Sequence, residues 1–171
     1  MDGLLFDSER IVQRSWEIAG DELGIPHMGD VIYHTLGMNR AGRNEYFRKY
    51  IREDFPFEEF GKLTRDNFWK IVDKEDLPLK KGAKELLAYG KSQGYKMAVA
   101  TSSSREYAMG NLIRAGIDSY FDSVVCGDMV KKAKPDPEIY QKACESLGIQ
   151  PEYCMAFEDA PGGILSAHQA G

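Results

Sequence analysis

Apolar residues recur at helical spacing through residues 8 to about 79 and in short unbroken runs after Pro78. Ser8 and Glu9, followed by Ile11, Val12, Ile18, Ala19 and Leu23, predict a helix capped by Ser8 and ending at Gly24. Residues 28–35 predict a short helix capped by Asp30 and stopped by Gly37. Residues 41–51 and 57–72 carry Tyr46, Phe47, Tyr50, Phe60, Phe68 and Trp69 at helical spacing, which suits a packed core better than a ligand cage. No strand pattern precedes Pro78, so residues 8–79 read as all-helical.

Beyond Pro78 the period alternates. Helices are predicted over 83–92, 105–115, 137–147 and from Gly162 onward. Buried strands are predicted over 96–100, 123–126 and 153–157. Strand and helix in turn with short links imply a parallel sheet with helices on both faces. The expected fold class is therefore α/β. A Rossmann-like core from residues 1–7 and 80–171 would carry an inserted all-helical cap over residues 8–79. Phe6–Ser8 and Leu79–Gly82 would form adjacent hinges for a mobile lid.

Composition narrows this picture. A chain of 171 residues can bury a sizeable core. Its net charge of −5 lacks the basic footprint a general nucleic-acid binder needs. No apolar run approaches the ~20 residues of a membrane span. Cys126, Cys144 and Cys154 are odd in number and lack metal-ligand spacing, so they read as buried reduced thiols of a cytoplasmic protein. A monomer is expected.

In an α/β core, chemistry gathers at the carboxyl ends of the parallel strands. Asp2-Gly3 can aim a carboxylate at a phosphate while glycine lets backbone N–H groups approach it. Thr101-Ser102-Ser103-Ser104 offers a hydroxyl and free amides to an anion, although Ser104 serves equally as a helix cap. Lys134-Pro135-Asp136-Pro137 holds a lysine on an extended loop, with Asp136 capping the next helix; a solvated lysine is the plainer reading. Glu158 and Asp159 end an apolar run, where adjacent carboxylates are costly without a cation. Hard oxygen donors in small number suit Mg²⁺, with helix capping as the alternative.

Taken in order, these stretches resemble the motifs of the haloacid dehalogenase-like (HAD) superfamily. Asp2, Gly3, Asp7 and Ser8 match its D-x-D-G-x-x-x-D-[ST] start, and residues 157–171 match F-E-D-x-P-x-G-I-x-x-A-x-x-A-G. The resemblance spans essentially the whole chain and is nearest to small-cap phosphatases and β-phosphoglucomutase-like proteins. It implies that the nucleophilic aspartate lies two positions before Asp2, upstream of Met1, with the strand leading into it. On that expectation residues 1–171 alone turn over no phosphate ester and fold poorly.

The resemblance assigns Asp2 as general acid–base, with its carbonyl on Mg²⁺. Gly3, Thr101 and Ser102 would bind phosphate, Lys134 would neutralise charge, and Glu158 and Asp159 would be metal ligands. Arg40 in the segment 37–40 would contact the substrate's distal group, with His27 and His34 as further residues able to reach it. Leu36 and Val12 stand where phosphoglucomutase-like members carry lysine and histidine, which favours a hydrolase. Ala133 and Lys81 replace a usual glycine and proline without putting the resemblance in doubt. The implied activity is a Mg²⁺-dependent phosphatase for a small phosphorylated metabolite such as a sugar phosphate. A phosphosugar mutase and a non-catalytic phosphate binder are the alternatives; Asp2, Glu158 and Asp159 argue against dehalogenation.

Overall fold

The computed structural model describes residues 1–35, 38 and 40–171, and the side chain of Arg40 is outside that description. The chain divides into two compact units, Ser8–Asp76 and Met1–Asp7 with Leu77–Gly171.

Ser8–Asp76 is helical. Helices α1 (Glu9–Glu22), α2 (Met28–Thr35), α3 (Arg40–Tyr50) and α4 (Phe57–Glu75) follow in order. Their apolar faces meet around Trp16, Phe47, Phe55 and Phe60, all buried. Trp16 meets Phe47 and Phe60 edge-on, each at 5.6 Å between centroids, a favoured aromatic geometry. The aromatic stripes at 46–50 and 60–69 thus place Phe47, Phe60 and Phe68 in the interior, while Tyr50 is exposed. Two capping expectations need correction. Ser8 is buried but makes no side-chain cap bond to α1. Asp30 lies inside the first turn of α2 and not ahead of it. There it favours the helix through the macrodipole. The expected stop at Gly37 lies outside the described residues.

The other unit holds α5 (Ala83–Ser92), β1 (Ala98–Ala100), α6 (Arg105–Arg114), β2 (Ser123–Val125), α7 (Glu138–Leu147) and α8 (Pro161–Gln169). β1 and β2 pair in parallel, with Val99 opposite Val124. A parallel pair requires a crossover, which α6 provides. α7 covers one face of the pair, burying Ile139 and Ala143 against Val125, Ala98 and Ala100. Val99 alternates to the other face and is buried. Phe6 bridges Leu79 in antiparallel sense, and the Asp7 and Lys80 amides donate to the Pro78 and Leu5 carbonyls. The segments that lead into and out of the helical unit are thereby tied together.

The predicted strand at 153–157 does not form. Pro151–Tyr153 is a 3₁₀ turn, and the residues after it join no ladder among the described residues. Met155 is 81% and Phe157 56% exposed, so this apolar run lacks the neighbour that makes a strand. A strand's hydrogen bonds come from its partner, so an apolar run alone does not create one. The same cause leaves Cys154 exposed, contrary to expectation, while Cys126 is buried and all the cysteines are free. The parallel sheet among the described residues is accordingly two-stranded.

Candidate active site

Because β1 and β2 are parallel, their carboxyl ends open on one side, and the chemistry-bearing residues gather at the end of β1. Thr101 follows β1 directly and is buried. Its N–H extends the ladder to the Val125 carbonyl at 3.0 Å, and its Oγ1 accepts the Ser103 N–H at 3.2 Å. Ser102 is exposed. Ser104 caps α6, its side chain accepting the Tyr107 N–H at 3.3 Å.

Residues 1–6 form a tight turn in which the Met1 carbonyl accepts the N–H groups of Leu4, Leu5 and Phe6. Gly3 has φ +70, and its N–H donates to the Phe6 carbonyl at 3.0 Å, so a phosphate would compete for that donor. The Asp159 carboxylate occupies the space a Cβ on Gly3 would need. Only glycine serves there, through both its φ and this close approach. Asp2 beside it is half-buried and accepts from Ser103 Oγ at 3.0 Å on Oδ2 and from the Tyr107 hydroxyl at 2.9 Å on Oδ1.

Lys134 lies on the other flank, after which the chain passes through a cis Lys134–Pro135 peptide. Its Nζ donates to the Ala100 carbonyl at 3.1 Å and to Glu158 Oε2 at 2.8 Å, both side chains only 12% exposed. Tyr140 completes the group: its hydroxyl donates to the same Oε2 at 2.6 Å, and its ring lies 4.7 Å from the lysine Nζ. Burial works to raise the Glu158 carboxyl, but the hydrogen bonds from Lys134 and Tyr140 outweigh it and hold the group down at about 2. Burial, then Glu158, pushes the Tyr140 phenol up, so Tyr140 stays a donor.

The Lys134 loop is itself anchored. Glu138 in the first turn of α7 accepts the amides of Lys131 and Lys132 and pairs with Lys142 at 2.9 Å. The cap position of α7 falls on Pro137 and not on Asp136 as expected, but Asp136 Oδ1 accepts the Glu138 N–H at 3.1 Å, and Ser166 donates to the Asp136 carbonyl at 2.6 Å. Asp2, Thr101, Lys134, Glu158 and Asp159 are thus brought to one place by separate loops.

A family model of the haloacid dehalogenase-like hydrolases matches residues 1–171. The chain belongs to this family. Its relatives in the HAD family include the phosphorylated carbohydrates phosphatase of Thermotoga maritima, 33% identical over 171 residues that cover 100% of this chain and 79% of that protein. The validoxylamine A 7'-phosphate phosphatase of Streptomyces hygroscopicus subsp. limoneus is 41% identical over 173 residues, covering 100% and 79%. A crystal structure from Thermotoga maritima, described as a beta-phosphoglucomutase, superposes with a TM-score of 0.82 at 30% identity, covering 99% of this chain and 78% of that one. The chain has the HAD fold and sits in the β-phosphoglucomutase-like branch of the family.

Leu36 and the side chain of Arg40, both singled out from sequence, lie outside the described residues. His34 stacks on Tyr46 within the helical unit, with centroids 6.1 Å apart. The sequence reading missed Tyr107 and Tyr140 and gave Ser103, within its 101–104 stretch, no role of its own; each touches a predicted site residue. Tyr107 stands three residues after the helix-capping Ser104, in the turn of α6 nearest the strand end, and Tyr140 stands one turn into α7.

The donor set fits a hard divalent cation. Asp159 is packed against Gly3, next to the Asp2 backbone, and carboxylate and carbonyl oxygens are the ligands Mg²⁺ takes. Glu158 is engaged by Lys134 and Tyr140. Among the described residues no group of three His, Cys, Asp or Glu side chains cages a metal. Mg²⁺ does not need one, because it keeps several waters and shares phosphate oxygens. No helix among the described residues is long and apolar enough to cross a membrane.

Proposed function

We propose that this protein is a Mg²⁺-dependent phosphatase that hydrolyses a small phosphorylated metabolite, of the phosphorylated-sugar class, through an aspartyl-phosphate. The observation that carries the reading is the convergence of Asp2, Thr101, Lys134 and the Glu158–Asp159 pair at the end of β1. The phosphatase names of the 33% and 41% identical relatives support the substrate class.

In this reading the attacking aspartate stands two positions ahead of Asp2, and Asp2 donates a proton to the leaving oxygen and then takes one from water. Thr101 and the Ser102 amide hold phosphate oxygens, with Gly3 keeping the turn close to them. Lys134 answers a specific problem: two unit anions at about 4 Å repel by about 4 kcal/mol at an effective dielectric near 20. Its ammonium, fixed by Ala100 and Glu158, is the positive charge that this reading sets against the repulsion. Mg²⁺ bound at Asp159, Glu158 and the Asp2 carbonyl would supply the remaining positive charge. In this reading residues 8–79 are the helical cap to which substrate choice is assigned.

The test is phosphate release by the full-length protein from a panel of sugar monophosphates, with Mg²⁺ and with a chelator. Metal-dependent release is expected. Isomerised sugar phosphate without free phosphate would instead establish the mutase reading, which the beta-phosphoglucomutase likeness favours. Binding of phosphate without turnover of any ester would establish the non-catalytic one.

A further inference from the structure

Both oxygens of the Asp2 carboxylate are occupied by hydroxyl donors more than 100 positions further along the chain. Tyr107 holds Oδ1 at 2.9 Å and Ser103 holds Oδ2 at 3.0 Å. Neither is among the residues the phosphatase reading uses. Both donors stand on bonded backbone: the Ser103 N–H reaches Thr101 Oγ1 at 3.2 Å and its carbonyl accepts the Gly127 N–H at 2.9 Å, and Tyr107 is held likewise. Its N–H is bound by Ser104 at 3.3 Å, and its carbonyl accepts the Asn111 side-chain amide at 3.0 Å. The neighbouring Arg105 N–H is bound by Asp128 at 2.9 Å, so the first turn of α6 is tied down on several sides. The half-buried ring therefore delivers its hydroxyl from a fixed backbone.

Two donors on opposite oxygens fix the rotation of a carboxylate about its Cβ–Cγ bond. Each oxygen has a second lone pair, so both remain open to a leaving oxygen or a water. A phenol brings no positive charge, unlike the ammonium on Glu158, so it orients the group without neutralising it. Orientation of this kind matters for proton transfer, where a displacement of about 1 Å can cost on the order of 100-fold in rate.

We propose that Tyr107, assisted by Ser103, is a positioning residue that aims the Asp2 carboxylate at the leaving-group oxygen. This rests on the phosphatase reading above. Tyr107 touches no reacting atom; it acts through Asp2.

The test is kcat/KM of the full-length protein and its Tyr107→Phe variant, with Mg²⁺, on two substrates. One is an alkyl sugar phosphate, whose leaving oxygen needs a proton. The other is 4-nitrophenyl phosphate, whose leaving group departs without one. Because kcat/KM reports only steps through departure of the leaving group, the later water step does not enter. Tyr107→Phe is expected to lower kcat/KM on the alkyl ester by about 10- to 100-fold and on the aryl ester by less than about 3-fold. Equal losses on both substrates, or no loss on either, overturn the proposal. Thermal unfolding checks that the variant folds. Should it not, Ser103→Ala gives the second reading, with the same selective loss at a smaller size expected and an equal loss overturning it. A wild-type protein inactive on both esters overturns the phosphatase reading and this proposal with it. An active wild type with equal losses overturns this proposal alone.

Discussion

Glu158 and Asp2 are two carboxylates held by a tyrosine hydroxyl at the end of the same strand, and their surroundings differ in one respect. Glu158 shares Oε2 between Tyr140 at 2.6 Å and the Lys134 ammonium at 2.8 Å. Asp2 is held by the hydroxyls of Tyr107 and Ser103. The ammonium makes Glu158 part of a fixed charge pair, nearly excluded from solvent. The hydroxyls give Asp2 a direction and no counter-charge. A phosphate-transfer site needs both kinds of group: one that sets the field and one that moves protons.

The comparison breaks most visibly at Asp2. Asp2→Asn should lower kcat/KM on an alkyl sugar phosphate by about 10²- to 10⁴-fold and less on 4-nitrophenyl phosphate, measured as phosphate release. Lys134→Ala should follow, with a loss of about 10²- to 10³-fold that is alike on the two esters, because it removes field and not a proton donor. It should also lower stability to urea by roughly 3 kcal/mol, since Glu158 would be left buried without its cation. Adding Glu158→Gln to that variant should recover part of the stability and none of the activity. If Lys134→Ala left stability unchanged, the charge-pair description of Glu158 would be wrong.

Tyr140→Phe sharpens the contrast with Tyr107→Phe. Its hydroxyl serves a charged acceptor, so its loss should cost about 1.5–3 kcal/mol in urea unfolding. The two esters should be affected equally. A selective loss on the alkyl ester would show that the two tyrosines do the same work.

The smallest effect concerns the loop that carries Lys134. The Lys131 amide, then Lys142 and the Lys132 amide, hold the Glu138 carboxyl at about 2, below its ordinary 4.5. A depressed carboxyl contributes stability above its unfolded value and loses it as the proton binds. That contribution should be complete above pH 4.5 and disappear as pH falls toward 2. Glu138→Gln should flatten this part of the pH–stability curve, measured by thermal unfolding.

Much of this was legible from local pattern. The bounds of α2 and α5 coincide with the periodicity of 28–35 and 83–92, because a helix satisfies its own backbone and its apolar stripe is local. The run 153–157 misled for the opposite reason: its composition is that of a strand, but a strand depends on a partner the pattern does not contain. Glu158 and Asp159 stood out because adjacent carboxylates after an apolar run demand compensation, whereas Asp2 and Lys134 drew their roles from the family resemblance. Tyr107 and Tyr140 did not stand out, since an aromatic at helical spacing reads as core until its hydroxyl is seen to have an acceptor.

The sequence by itself determined which segments are helical, the order in which loops leave the strands, and the types of charged group those loops carry. Each depends on interactions within a few residues, or on the identity of a side chain, which is fixed by the covalent chain. Only the tertiary structure decided that Tyr107 meets Asp2 across 105 positions and that Lys134 and Tyr140 share one oxygen of Glu158. Such pairings follow from where α6 leaves β1 and how α7 packs against it, and packing is a property of the whole core and not of any stretch within it.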